Sequence, residues 1–413
     1  MKKFVEWLEN KLAPKMEKVN DNIWIQTLKD SMLQLLPLIL VGSLVTIFAI
    51  LQDFIPNFPN LWSINSYTMG LLGVLVAFLV PLNYMERKRL RRLRFVAGIT
   101  GFAMFAIIVH LSDLELFDFA SMGAGGMFAA LIVGILAGTV FSLFGKFSFF
   151  KEDSAVPDFV RQWFDCMLPM SILVFGTWLL VNIVGLDIFA LILLFFSPLG
   201  NFAQSLVGFT LFYFISCFFY TMGISTWVIF PLRNPIMLAG IAANTALVAQ
   251  GLAPTNIHTL ETVFMGWLAI GGTGGTIFLV LFMLFSKSNR LKALAKASLA
   301  PSLLNINEPI VFGAVVWNPI MMIPMWIHGL IVPIITYLWL KAGLATIPSE
   351  VFAFWYCPYP ISTWLVSRSI GGMILLAIMC VVNVIIYYPF FKVYEHQQMK
   401  LEGVSTEAGK QES

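Results

Sequence analysis

Apolar residues in this chain run in blocks long enough to cross a hydrocarbon layer, which takes about 20 helical residues. Such blocks stand at 28–51, 67–84, 95–111, 122–144, 167–184, 202–220, 225–247, 263–285, 319–340 and 370–391. The seventh is interrupted by Arg233-Asn234-Pro235, which marks a helix break. Residues 187–197 lead into Ser197-Pro198-Leu199-Gly200 and read as a surface or linker helix. Before the first block, Phe4, Trp7, Leu8 and Leu12 share one face among Lys2, Lys3, Glu6, Lys11 and Lys15, as in a helix lying on a membrane surface. The expected fold is an all-α polytopic membrane protein of about ten transmembrane helices.

The loops orient these blocks. Residues 2–18, the run Arg87-Lys88-Arg89-Leu90-Arg91-Arg92-Leu93-Arg94, and Lys287, Arg290, Lys292 and Lys296 are basic and belong on the cytoplasmic side. Asp113, Glu115 and Asp118, with no basic residue among them, suit the opposite side. With ten spans, both termini fall in the cytoplasm. Two apolar stretches are then left over: 298–317, which must begin and end inside, and 345–369, which must begin and end outside. Both are too apolar for solvent loops and read as re-entrant hairpins entering from opposite faces, as in alternating-access carriers.

Composition agrees. Of 413 residues, 59% are hydrophobic and 11% charged, against about 25% charged in a soluble domain, which leaves little room for one. The basic run lies between two spans, so the positive-inside rule accounts for it and no nucleic-acid partner is expected. Cys166, Cys217, Cys357 and Cys380 are far apart and form no zinc or redox motif. The N-terminus lacks a short apolar core followed by a small-residue cleavage site, so no signal peptide is read there. Gly271-Gly272-Thr273-Gly274-Gly275 lacks the lysine spacing of a phosphate loop and reads as close helix packing within the eighth span. No cofactor or metal is expected.

The candidate chemistry sits in Asn305-Ile306-Asn307-Glu308-Pro309-Ile310-Val311-Phe312-Gly313, followed by Trp317-Asn318-Pro319. An acid at membrane depth costs about 2.5–3.5 kcal/mol on insertion scales and marks a functional site by default. Pro309 disfavours helix at Glu308, so the backbone is expected to break at the acid. Glu308 fits a substrate contact, since a carboxylate accepts hydrogen bonds from a ligand's donors; it also fits a structural acid that caps a helix or pairs with Arg233. Arg233 itself suits either attraction of an anionic partner or a snorkelling, paired arginine. Trp227, Trp317 and Trp355 lie near the motifs and offer indole faces to a ligand, although most of the twelve tryptophans suit interfacial belts or packing. His110 and His328 read as hydrogen-bonded core residues.

These motifs, in this order, resemble the membrane-embedded IIC component of the sugar phosphotransferase system (PTS), in its lactose/cellobiose (diacetylchitobiose) branch. The resemblance runs from about Leu12 to Tyr394. It rests on Asn307-Glu308-Pro309-Ile310-Val311-Phe312-Gly313 with Asn318-Pro319, Gly42-Ser43 after Leu36-Pro37-Leu38, Val156-Pro157 before Leu168-Pro169, and Trp355-x-x-Pro358 before Tyr388-Pro389-Phe390. It implies an elevator-type IIC fold: a surface segment over 1–27, a dimerisation scaffold over 28–186, a linker over 187–200, a transport domain over 201–394 with the two hairpins, and a polar tail over 395–413. It also implies a sugar permease of the bacterial plasma membrane, a homodimer, that hands a cellobiose- or β-glucoside-like disaccharide to a phosphorylated IIB protein fed by IIA and the general PTS proteins.

Since 395–413 is too short for a IIB domain, the phosphoryl-carrying cysteine is expected on another polypeptide. Glu308, with Asn307, is the implied sugar contact and a candidate base; Asn305, Ser225, Trp227, Arg233 and Trp355 complete the expected set. Two positions depart from the family pattern. Ser225 in Gly223-Ile224-Ser225-Thr226 stands where a histidine is common, and Val315 stands where a proline is common. Two other functions stay open: an ion-coupled carrier with Glu308 as its proton site, and a non-transporting receptor of the same fold.

Overall fold

A computed structural model describes residues 18, 21–35, 37–39, 41–42, 45, 48, 55, 59–109, 119–150, 156–224, 226 and 229–411. Among them there is no strand. The longer helices are α1 (Ile23–Leu33), α2 (Leu72–Arg87), α3 (Arg94–Ile108), α4 (Met127–Leu143), α5 (Asp158–Trp178), α6 (Ile188–Gln204), α7 (Leu206–Thr221), α8 (Phe230–Ala249), α9 (Ile277–Leu284), α10 (Asn289–Leu303), α11 (Pro319–Lys341), α12 (Ile361–Ser367) and α13 (Ile370–Gln411). Among the described residues, Ser66–Arg87, Ala124–Leu143, Asp158–Ile183, Pro319–Lys341 and Ile370–Gly403 are each long and apolar enough to cross a membrane. Helices α6 and α7 meet that test together and are bent by 83° at their junction. The expected surface helix over 1–27, His110 and the acidic loop 113–118 fall wholly or mostly outside the described residues.

The helices gather into two compact units. One takes Val19–Gly200 and Phe230–Ala242; the other takes Asn201–Ile229 and Ala243 onward. In the first, α2 packs against α1, α3 and α4. The contact with α3 is close because Gly101 faces the Ala77 carbonyl, where a Cβ would come within 2.2 Å. Trp24 stacks on Tyr84 with ring centroids 3.7 Å apart, and Asn83 donates to Ser31 Oγ at 2.9 Å. Much of the basic run is engaged within this unit. Arg87 pairs with Asp30, Arg94 and Arg91 with Glu86, and Arg92 with Asp165 at 3.3 Å.

In the second unit α7 packs along α11, α11 along α13, and α9 along α10 and α13. Helix α13 runs to Gln411, through the described part of the expected polar tail, and two of its acids grip the start of α10. Glu395 accepts from the Lys287 amide at 2.8 Å. Glu402 accepts from Ser288 Oγ at 2.6 Å and from the Asn289 and Arg290 amides at 3.2 and 2.9 Å. Those amides open a helix and have no intrahelical acceptor. Glu402→Ala should therefore lower stability by about 1 kcal/mol, the usual scale of a lost cap. A thermal midpoint in detergent reads it, and an unchanged midpoint would mean that the acid does not cap.

Two expected elements differ. The block 263–285 is not a helix: Glu261–Gly266 makes a π-helical turn, 267–276 is irregular, and only Ile277–Leu284 is α-helical. Four of its glycines, at 271, 272, 274 and 275, have φ between +66° and +99°, backbone that side chains resist and glycine adopts readily. Hydropathy registers only that the segment is buried, which it is. Irregular backbone at that depth is tolerated because protein surrounds it. Helix α8, in turn, is not interrupted at Arg233-Asn234-Pro235. Pro235 sits one turn in, where its missing N–H forfeits a single bond to the Pro231 carbonyl.

Candidate functional site

The Asn-Glu-Pro stretch lies between α10 and α11. Helix α10 ends at Leu303, and Asn305 turns the chain with a left-handed φ of +61°. Glu308–Ile310 then opens a short helix that continues as a π-helical turn over Val311–Val315. The break therefore precedes the acid. Pro309 lies in the first turn, where an N–H has no intrahelical acceptor, so Glu308 is helical where the proline was expected to disfavour helix. Trp317, with φ +55°, makes the next turn, and its amide donates to the Thr221 carbonyl at the end of α7 at 3.0 Å. Asn318 then caps α11 by accepting from the Ile320 amide at 3.2 Å.

Both asparagines are tied to the protein. Asn307 is buried and stands at the N-cap position, yet its amide does not cap. Its Nδ2 donates to the Thr273 carbonyl at 2.8 Å and to Thr276 Oγ1 at 2.9 Å. Its Oδ1 accepts from the Tyr220 hydroxyl at 3.3 Å. Asn305 accepts at Oδ1 from the Gly271 amide at 3.1 Å and donates to the Trp355 and Cys357 carbonyls at 2.8 and 2.9 Å. The irregular, glycine-rich segment 267–276, the glycine crossing, is thus the seat on which the stretch rests, and Thr273, Thr276 and Gly272 are structural partners that sequence reasoning missed. The signal was present as a run of glycines beside two threonines, but it reads equally as small-residue helix packing.

Glu308 is different. Its side chain is exposed, and among the described residues no hydrogen bond or ion pair engages it. The same unit also presents aromatic surface. Phe312 is 55% exposed and meets Tyr220 edge-on, and Trp355 is half-buried against Tyr356, ring centroids 5.6 Å apart. A Cβ built on Gly223 would lie 3.3 Å from Val316 and 4.0 Å from Phe312, so the Gly223-Ile224 end of that motif packs on the turn after Glu308. Ser225 and Trp227 lie outside the described residues. Arg233 is buried in α8, within the other unit.

His328 lies deeper, fully buried on α11. Its Nδ1 meets Asn383 Oδ1 at 2.7 Å, and its Nε2 faces the Tyr213 hydroxyl and the Leu268 carbonyl at 3.2 and 3.1 Å. Because Asn383 Nδ2 donates to Met379, its oxygen is the acceptor, and Nδ1 of the imidazole carries a proton. It is a hydrogen-bonded core histidine, with both ring nitrogens engaged by the protein, as expected from the sequence.

The family model for Phosphotransferase system, EIIC, matches residues 29–329. A lactose-specific EIICB component of Staphylococcus epidermidis is 31% identical over 99% of this chain and 73% of its own length. The chain belongs to the phosphotransferase system EIIC family. A lichenan permease IIC component of Bacillus subtilis is 26% identical, covering 97% of this EIIC chain and 96% of its own. The crystal structure of ChbC, the IIC component of the N,N′-diacetylchitobiose-specific system, superposes with a TM-score of 0.86 over 96% of this chain and 99% of that one. At 24% identity that likeness establishes the fold. As an EIIC protein, the chain is a membrane-embedded sugar permease component that works with a IIB partner.

Proposed function

We propose that this EIIC protein binds a β-linked disaccharide of the cellobiose type at Glu308 and presents it to a phosphorylated IIB protein. One observation carries the assignment: in the Asn305–Glu308 stretch both amides are engaged by the protein, while the carboxylate is exposed and unengaged. A carboxylate held on fixed backbone can accept from two sugar hydroxyls at once, and charge-assisted bonds of that kind are among the stronger ones available to a neutral ligand. Trp355, Tyr356 and Phe312 supply apolar surface for the CH faces of the rings. The relatives named for lactose, lichenan and diacetylchitobiose all take β-linked sugars, which supports that class. Ser225, carrying a hydroxyl in place of an imidazole, tunes the choice within it.

The unit built on Val19–Gly200 serves as scaffold for a homodimer, and the unit holding Glu308 carries the sugar. Both termini and the Arg87–Arg94 loop face the cytoplasm, from which the phosphoryl donor approaches. The sugar's 6-hydroxyl attacks phosphorus and the donor thiolate leaves; Glu308 takes the hydroxyl proton. Upstream, IIA and the general PTS proteins recharge the donor.

Vesicles test both coupling and side. In right-side-out vesicles, cellobiose added outside should equilibrate without accumulating, and a cognate phospho-IIB enclosed within should convert it to its 6-phosphate and trap it. Phospho-IIB added outside to the same vesicles should do nothing. Free sugar accumulating under an imposed pH gradient, indifferent to IIB, would instead assign Glu308 to proton coupling. Binding without any translocation would indicate a receptor.

A further inference from the structure

Residues 345–360 have almost no regular secondary structure, yet side chains from other segments hold them at short intervals. Asn244 donates to the Pro348 carbonyl at 2.8 Å, and Thr245 to that of Ser349 at 2.6 Å. The Phe352 amide donates to Glu261 at 3.1 Å, and the Tyr359 hydroxyl to the Phe264 carbonyl at 2.7 Å. Between these, Asn305 binds the Trp355 and Cys357 carbonyls with one amide nitrogen. Curling the backbone of 355–357 about that nitrogen leaves the Trp355 and Tyr356 side chains on the outer face of the turn, with Tyr356 37% exposed. Asn305 also accepts from Gly271, so a single side chain joins the glycine crossing, the aromatic turn and the arm that reaches Glu308 three residues later. Both its N–H groups are donated and its oxygen is occupied, so it has no donor left for a ligand.

We propose that Asn305 is a positioning residue for sugar recognition: it fixes the Trp355–Tyr356 surface in register with Glu308, and so sets affinity for the ring that lies on the aromatic turn. This rests on Glu308 and Trp355 contacting the sugar. The left-handed backbone at 305 explains the residue type, since asparagine tolerates that conformation while offering two donors and an acceptor.

Two substitutions keep that backbone accessible. Asn305→Asp keeps the acceptor for Gly271 and turns an oxygen toward the two carbonyls; Asn305→Gly removes all three bonds without steric conflict. In the full-length protein in detergent, titrated with whichever of cellobiose, lactose and N,N′-diacetylchitobiose binds best, each variant should bind about 10-fold more weakly. In a Trp355→Ala background neither should weaken binding further, because the surface that Asn305 holds is already gone. With Cys166, Cys217 and Cys380 replaced by alanine, maleimide labelling of Cys357 should be several-fold faster in both variants, reporting release of the turn without reference to sugar. Wild-type affinity in both variants, or the same 10-fold loss repeated on Trp355→Ala with Cys357 labelling unchanged, would overturn the proposal. If Glu308→Gln binds sugar like the parent while Cys357 labelling still responds to Asn305, the turn is held as described and the assignment of Glu308 is what fails.

Discussion

Glu308→Gln is expected to weaken sugar binding by about 10- to 150-fold, the equivalent of one charge-assisted hydrogen bond worth roughly 1.5–3 kcal/mol. The substitution is nearly isosteric, and the side chain is exposed with no hydrogen bond or ion pair among the described residues, so insertion and folding should be unaffected. A glutamine still accepts at one oxygen, but it loses the charge and replaces the second acceptor with a donor. The loss should therefore be greatest for sugars whose hydroxyls engage both oxygens. Equilibrium binding to protein in detergent measures it directly, alongside uptake in cells at matched expression. Parental affinity in the variant would move the sugar site away from this arm.

Gly272→Ala should have a larger effect of a different kind. Gly272 has φ +99°, which costs a side-chain-bearing residue on the order of 1–3 kcal/mol. A methyl there would also stand 2.3 Å from Asn307 Cγ and 2.6 Å from its Oδ1, and overpacking of that degree adds about 1–3 kcal/mol. Asn307 cannot retreat without losing Thr273 and Thr276, and Glu308 follows it in the chain. Loss of folded protein, or folded protein that no longer binds sugar, is the expected result. Gly251→Ala is the control, because its φ is +74° but nothing lies within 4 Å of the added carbon. If Gly272→Ala were no worse than Gly251→Ala in yield and binding, the seat under Asn307 would not be formed as described.

Long uninterrupted apolar runs such as those that become α11 and α13 were legible in the sequence, because their length and hydropathy match a membrane-spanning helix. The glycine crossing was not. Its composition meets the same hydropathy test, and only the backbone angles distinguish a helix from an irregular path. Pro309 marked the place of the break but not its side, since a proline disfavours helix at the residue before it yet is well suited to the first turn of a helix, and the sequence does not say which the chain uses. At the site, Glu308 stood out as an acid in an apolar stretch. Asn305 and Asn307 looked like further ligands for the same reason, yet they are occupied by backbone carbonyls and amides from segments 30 to 50 residues away in sequence. Such pairings leave no local trace, so polarity near an acid cannot separate a group that meets ligand from one that holds the loop. Arg233, conspicuous for its charge, turned out to lie within an unbroken helix in the other unit.

Glu308 faces outward with no ion pair of its own among the described residues. For a neutral disaccharide such an acid is an acceptor of hydroxyl hydrogens. Phosphoryl transfer would replace that guest with one bearing close to two negative charges. Once Glu308 has passed the hydroxyl proton to solvent and is again a carboxylate, each of those charges, at a separation of about 6 Å and an effective dielectric of about 20, is repelled by roughly 3 kcal/mol, near a hundredfold in affinity. If Glu308 holds the sugar as proposed, the same group would expel the product, and the direction of net transport would be set by a change in the sign of one interaction.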